Sequence, residues 1–258
     1  MCQAIVSGLV QQAIFDITVI DNNADKRAHL EQAYGVKTAT VVPDLQAADV
    51  LLLAVKPQDM AAATAQVHSN GALILSIAAG LDIATLSAML NNRRIIRIMP
   101  NTPAQIGMGV AGLFAPEHLQ AADKDIAEKI MRAVGQVYWL EEENRLHAIT
   151  GISGSGPAYV FYLMDALAQA AQAQGFDAAT ARELSLATFK GAVTLAEQSG
   201  LPFAQLQKNV TSKGGTTFAA ITAFEAAHIA EGIHAGVDAC VARSEEMQSQ
   251  LAKANQDG

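Results

Sequence analysis

Residues 49–58 read D-V-L-L-L-A-V-K-P-Q. Side chains of an extended chain point alternately to opposite faces, and the stretch Asp49 to Val55 reads as a buried strand with apolar residues on both faces. A strand with two apolar faces needs cover on both sides, which is the condition of a parallel sheet sandwiched by helices. Pro57 fits the first turn of a helix, where its missing N–H costs little, and that helix is expected to run to Gln66.

The same alternation extends in both directions. Upstream, residues 1–12 read as an amphipathic helix with Ala4, Ile5, Gly8 and Leu9 on one side. The run I-T-V-I, residues 17–20, reads as a strand ending at Asp21. A helix is expected from Asp25 to Tyr34, stopping at Gly35, then a short strand from Lys37 to Val41. Downstream come a strand from Ala72 to Ile77, a helix from Ile83 to Leu90 and a strand from Arg94 to Met99. Such alternation argues for an α/β fold, a parallel sheet with helices on both faces. Residues 108–114 and 136–140 are expected as late strands of that sheet, with a helix from Ala121 to Val134 between them.

Acidic Glu141 to Glu143 marks the exit from the sheet, and from His147 onward the pattern is helical only. Helices are expected over Ala158–Gln174, Ala178–Gly200 and Ala227–Ala254, with Gly175 and Gly200 where C-terminal caps belong. The expected organisation is an α/β domain over residues 1–145 and an all-helical domain over 146–258.

At 258 residues the chain can bury a large core. The apolar fraction is 51% and aromatics are 5%, a balance that suits tight helix packing. A net charge of −8 argues against a broad nucleic-acid or anionic-membrane surface. Cys2 and Cys240 are the only cysteines, and two isolated thiols fit a reduced, cytoplasmic protein better than a disulfide scaffold. The six histidines are scattered, and no cluster has metal-ligand spacing. The apolar runs are too short to span a bilayer, and the first residues lack the basic segment of a signal peptide.

Ligands of open parallel sheets bind outside the carboxyl ends of the strands. Three loops are expected there: A-V-K-P-Q (54–58), S-I-A-A-G (76–80) and M-P-N-T-P-A (99–104). Ala78, Ala79 and Gly80 are small enough for a ring or ribose to lie on the backbone, Lys56 could meet a phosphate, and Asn101 could orient a ligand. The plainer readings are strand-to-helix turns, a solvated Lys56 and an Asx-turn at Asn101. Asp21 ends the first visible strand, where an acid commonly accepts from ribose hydroxyls. A turn or helix cap is the plainer role for it, because Asn22, Asn23 and a helix follow.

Two stretches in the helical half are dense in small polar residues. T-G-I-S-G-S-G-P-A-Y (150–159) opens a long helix. V-T-S-K-G-G-T-T (210–217) precedes the helical pattern Phe218 to Phe224. A helix start exposes N–H groups with no partner in the helix, two glycines let a ligand approach the backbone, and hydroxyls add adaptable donors. Together they suit a small carboxylate or phosphate. A simple helix cap explains the same residue types.

Taken in order and spacing, the five motifs A-V-K-P-Q, S-I-A-A-G, M-P-N-T-P, T-G-I-S-G-S-G-P-A-Y and V-T-S-K-G-G-T-T resemble pyrroline-5-carboxylate reductase over nearly the whole chain. The resemblance implies NAD(P)H-dependent reduction of 1-pyrroline-5-carboxylate to L-proline, with NADPH or NADH as cofactor. It implies an N-terminal dinucleotide domain and a helical C-terminal domain through which the protein forms a homo-oligomer. It assigns Ala54, Val55, Lys56, Pro57, Ile77, Ala78, Ala79 and Asn101 to the cofactor. Ser212, Gly214, Gly215, Thr216 and Thr217 would line the substrate site, with Thr217 hydrogen-bonded to the imine nitrogen as the catalytic residue.

Two departures accompany the resemblance. Family members open with a strand and a Gly-rich loop before the helix that here reads M-C-Q-A-I-V-S-G-L, so the first strand and pyrophosphate loop are expected to be missing. Lys213 stands where many members have Pro. Asp21 would repel a 2′-phosphate and so tilts the expectation toward NADH. A β-hydroxyacid-type dehydrogenase shares the two-domain plan, but it requires a Lys on a helix where residues 158–174 have none. A truncated, non-catalytic homologue that keeps the helical dimer domain is the remaining alternative.

Overall fold

The computed structural model describes residues 1–254; the last four residues of the expected helical domain, 255–258, lie outside the described residues. By its internal contacts the chain divides into two compact units. The first is Met1–Ser155 rejoined by the chain from Ala239 on, and the second is Gly156–Asp238.

The first unit carries all the strands found among the described residues. Helix α1 (Cys2–Gln12) is followed by β1 (Thr18–Ile20), α2 (Ala24–Tyr34) and β2 (Lys37–Ala39). Then come β3 (Val50–Leu53), a tight turn of 3₁₀ helix at Pro57–Asp59 running into the short α3 (Met60–Thr64), β4 (Leu73–Ser76), α4 (Ile83–Leu90) and β5 (Ile95–Met99). A 3₁₀ segment at Thr102–Ile106 leads to β6 (Gly109–Phe114), α5 (Ala121–Arg132) and β7 (Gly135–Trp139). The unit continues through α6 (Arg145–Ile149) and one wide π turn, Thr150–Gly154.

The strands form two sheets, a parallel pair β1-β2 and a five-stranded sheet in the order β3-β4-β5-β6-β7. Every pairing is parallel except β5 with β6, where Met99 faces Gly112. The reason is local: the connection from Pro100 to Met108 is too short for the crossover that a parallel pairing needs. β4 meets the two-faced burial expected of a central parallel strand, with Leu73, Ile74 and Leu75 all fully buried. β3 differs from the expectation of full burial: Val50, Leu51 and Leu52 are half-buried and only Leu53 is buried. It is an edge strand of its sheet and does not pair with β1, so one flank lacks the cover that β4 enjoys.

Two cores sandwich the sheet. On one face Ile5 and Leu9 of α1 and Ile130 and Met131 of α5 pack with Leu73, Leu75, Ile96, Ile98 and Leu113. On the other, Met60, Leu86 and Leu90 pack with Leu53, Ile74 and Ile95. A third, small core joins Val6 of α1 to Val19, Leu30 and Val36 around β1-β2. Gly8 is what lets α1 sit so close: a Cβ there would lie 2.5 Å from the Ala133 carbonyl oxygen. At the amino end of the sheet Arg94 is clasped by Asp123 at 2.6 Å and donates to the carbonyls of Ala47 and Gly71.

The second unit is helical throughout its described residues: α7 (Gly156–Ala173), α8 (Ala178–Ser199), α9 (Phe203–Asn209), α10 (Thr216–Ala226) and the start of α11 (Ile229–Ala254). Neither α9 nor the short α6 was expected from the sequence, and α11 starts later than Ala227 because His228 takes a left-handed conformation, φ 53°. Gly200 caps α8 in the left-handed region as expected, φ 62°. α7 and α8 pack together, with Ala181 wholly buried and Ser185 Oγ donating to the Met164 carbonyl at 2.7 Å. Large apolar side chains stay on the surface, Tyr162 at 76% and Phe203 at 80% exposed.

Candidate active site

The stretch V-T-S-K-G-G-T-T becomes a turn that opens α10. Thr211 Oγ1 donates to the Gln207 carbonyl at 2.7 Å, closing off α9, and the Gly215 amide donates to the Ser212 carbonyl at 3.0 Å. Gly214 sits at φ 73°, a left-handed conformation that disfavours any side chain. Gly215 is the N-cap of α10, and a Cβ on it would run into Ser212 Oγ. The helix ladder begins with the Ala219 amide donating to the Gly215 carbonyl. The amides of Thr216, Thr217 and Phe218 are therefore left free by the helix itself. The first turn of α10 holds no acidic residue to occupy its positive end. Ser212, Gly214 and Thr216 are exposed, and Gly215 and Thr217 are half-buried. The geometry is that of a small anion cradle with a hydroxyl, Thr217, in its first turn.

In the first unit the three sheet loops lie where the topology demands, after the carboxyl ends of β3, β4 and β5. Val55 and Lys56 are exposed, Ala54 and Pro57 half-buried, and Lys56 caps the turn at Pro57. The Ile77 amide is taken by the Leu53 carbonyl at 3.1 Å, and Ser76 Oγ accepts from the Ala78 amide at 3.4 Å. Ala78 is buried while Ile77 and Ala79 are half-buried. Small residues and an exposed lysine at the carboxyl ends of parallel strands fit a nicotinamide dinucleotide.

Asn101 is buried and both ends of its amide are engaged within the chain. Nδ2 donates to the Ser153 carbonyl at 2.9 Å, and Oδ1 accepts from the Val110 amide at 2.8 Å. Asp21 forms the turn that its neighbours suggested: Oδ1 accepts from the Asn23 amide at 2.8 Å and Oδ2 lies 3.8 Å from Lys26 Nζ. Arg27 donates to the Asp21 carbonyl at 2.7 Å.

A buried polar cluster beneath the second loop escaped the sequence reading. Arg97, in the middle of β5, pairs with Glu143 at 2.8 Å, and the same Glu143 oxygen accepts from the Ile83 amide at 2.8 Å. His147 is buried beside them, with Nδ1 2.8 Å from Ser244 Oγ on α11. Burial first, and then the Arg97 charge, hold the His147 imidazole below its ordinary pKa, against the opposite pull of Glu245 and Glu143. The available signal was a lone arginine inside the apolar run I-I-R-I-M, since a buried charge demands a partner.

Among the described residues no group of acidic, His and Cys side chains could hold a metal ion, and no helix is long and apolar enough to cross a membrane.

Comparison with known proteins agrees with this layout. A family model described as pyrroline-5-carboxylate reductase dimerisation matches residues 143–247, and one described as NADP oxidoreductase, coenzyme F420-dependent, matches residues 1–80. The pyrroline-5-carboxylate reductase of Haemophilus influenzae is 39% identical over 256 residues, covering 96% of this chain and 94% of its own. That of Pseudomonas aeruginosa is 38% identical over 261 residues, covering 97% and 94%. Among solved structures, a pyrroline-5-carboxylate reductase from Coxiella burnetii superposes with a TM-score of 0.86 at 34% identity, covering 95% of this chain and 94% of its own. The Plasmodium falciparum enzyme, solved with NADP bound, gives 0.79 at 25% identity, covering 95% of each. The sheet unit is thus Rossmann-like, the helical half is of the dimerisation type, and the chain belongs to the pyrroline-5-carboxylate reductase family.

Proposed function

We propose that this chain reduces 1-pyrroline-5-carboxylate to L-proline with NADPH or NADH, the last step of L-proline biosynthesis. The observation that carries the reading is the Gly-Gly-Thr-Thr turn capping α10 in a chain related to these reductases over nearly its whole length. The amides that α10 leaves free bind the substrate carboxylate, with Ser212, Gly214, Gly215 and Thr216 shaping the cradle. Thr217 Oγ1 donates to the imine nitrogen, which draws electrons from C5 and readies it for hydride. The nitrogen gains a proton as C5 gains the hydride, so the C=N bond becomes C–N and charge balances. When bound, the reduced nicotinamide supplies that hydride, and the protein supplies orientation and electrostatics.

In this reading Ala54, Val55, Lys56, Pro57, Ile77, Ala78, Ala79 and Asn101 hold the cofactor, with Asp21 at its adenosine end. Asn101 does so by fixing its loop, since its amide is already committed to Ser153 and Val110. Asp21 tilts the preference toward NADH, and a lower Michaelis constant for NADPH would contradict that tilt. Residues 1–145 serve the cofactor, while residues 146–258 bind substrate and join a second copy of the chain, for which exposed side chains such as Tyr162 and Phe203 are suited. The two isolated thiols suit a cytoplasmic setting.

The test is loss of reduced-nicotinamide absorbance when purified protein meets 1-pyrroline-5-carboxylate, with NADH and NADPH in parallel. Turnover supports the reading. Its absence with both cofactors, in folded protein, favours the non-catalytic alternative.

A further inference from the structure

The stretch from Ile77 to Ile83, which contains the turn Ile77–Gly80, is braced at three places inside the first unit. At its start, Ser76 Oγ accepts from the Ala78 amide. In its middle, Gly80 at φ 76° lies against α11, so close that a Cβ would meet Leu251 Cδ1 at 2.8 Å. At its far end, Asp82 caps α4 by accepting from the Thr85 amide at 2.8 Å, and Glu143 takes the Ile83 amide. Glu143 is itself held by Arg97, whose side chain is 4% exposed and whose Nη1 also approaches Gln248 Oε1 at 3.4 Å. Arg97 pairs in register with Ser76, so both braces rise from adjacent strands.

Stability alone does not account for this arrangement. Desolvating a guanidinium and a carboxylate costs free energy that their attraction barely repays, and apolar side chains of equal volume do as well or better. What the apolar alternative lacks is the fixed acceptor for Ile83.

We propose that Arg97 is a positioning residue for the cofactor, acting through Glu143 and the Ile83 amide on the turn Ile77–Gly80. The proposal rests on the reading that this turn receives the cofactor. Misplacing a binding group by about 1 Å can cost on the order of a hundred-fold. Arg97→Met should therefore weaken binding of NADH and NADPH by about ten-fold, read by calorimetric titration of the purified full chain. The Michaelis constant for the imine substrate, at saturating cofactor, should stay within about two-fold. Arg97→Lys, which keeps the charge beside Glu143, should recover most of the affinity. The double variant Arg97→Met/Glu143→Leu should be no weaker than either single one, because both act on one chain of contacts.

Arg94→Met is the control for a merely structural arginine: it should lower the melting temperature and leave cofactor affinity within about two-fold. Arg97→Met binding as tightly as Arg94→Met overturns the proposal. So does additive weakening in the double variant. Should Arg97→Met not fold, Arg97→Lys and Glu143→Gln carry the test, and unchanged affinity in folded Glu143→Gln overturns it. Ala79→Leu separates the two failures. If it abolishes cofactor binding while Arg97→Met does not weaken it, only the positioning role falls. If it leaves binding intact, the cofactor reading of this turn falls and the proposal with it.

Discussion

The Asn101 amide donates to the Ser153 carbonyl at 2.9 Å, which ties the turn after β5 to the wide helical turn just before α7. The other end of the amide accepts from Val110 at the start of β6. Asn101→Ala takes this partner from the half-buried Ser153 carbonyl and Val110 amide, and an unsatisfied buried group costs about 1–3 kcal/mol. The expected outcome is a loss of stability of that order on urea denaturation. Asn101→Asp should be nearly as damaging, because it keeps the acceptor for Val110 but turns carboxylate lone pairs toward the Ser153 carbonyl.

The proposed reaction gives Thr217 a proton-donating contact to the substrate nitrogen. Thr217→Val keeps the shape and removes the hydroxyl. A positioned proton donor typically contributes about 10²- to 10⁴-fold. The turnover number should fall by about a hundred-fold with cofactor affinity unchanged, as measured by steady-state kinetics alongside calorimetry; near-normal turnover would remove Thr217 from the mechanism.

The two glycines of the turn that opens α10 should fail in different ways. Gly214→Ala forces a side chain into a left-handed backbone, at a cost of about 1–2 kcal/mol, and should show mainly in the melting temperature. Gly215→Ala has ordinary backbone angles, so its Cβ instead displaces Ser212 Oγ. It should raise the Michaelis constant for the imine with little change in melting. Equal effects of the two variants on both measurements would contradict this division.

His147 gives the first unit a dependence on acid. Burial and Arg97 lower its pKa in the folded chain, whereas an unfolded chain takes up the proton near about pH 6.5. The unfolded state therefore binds the proton first as pH falls. Stability is full above about pH 6.5, declines below it, and the loss is complete once pH passes below the folded value. Facing groups are Arg97 on β5, Glu143 before α6, and Ser244 and Glu245 on α11. Melting temperatures measured from neutral to mildly acid pH should fall, and His147→Gln should flatten that slope.

How far the sequence discloses this structure depends on which physical signal a residue carries. The apolar runs at Leu73–Leu75 and Ile95–Ile98 announce buried strands through burial alone, and Gly35 and Gly200 announce helix ends through their left-handed angles. The reversal of β6 was not legible, because chain direction leaves no trace in a strand's composition; only the short connection after Met99 encodes it. That Val50 to Leu52 are only half-buried depends on what lies beside β3, which its own residues do not state. The Gly-Gly-Thr-Thr turn was legible as a helix start. The Arg97–Glu143–Ile83 link was hidden, since its members are 46 and 60 residues apart in the chain.

On the far end of α11 a file of side chains packs onto the rest of the first unit. Cys240 meets Ser155, Ser244 meets His147, Gln248 meets Arg97, and Leu251 meets Gly80. Spacings of four, four and three residues keep such a file nearly in line along one flank of a straight α-helix, which turns about 100° per residue. The file therefore has a phase. One residue inserted between Cys240 and Ser244 would swing the three later members about 100° around the axis relative to Cys240, so the four contacts could not all be kept, whereas seven would restore the angle to within about 20° but shift those members about 10 Å along it. Length in this part of the helix is a digital variable, fixed at one end by Ser155 and at the other by Gly80.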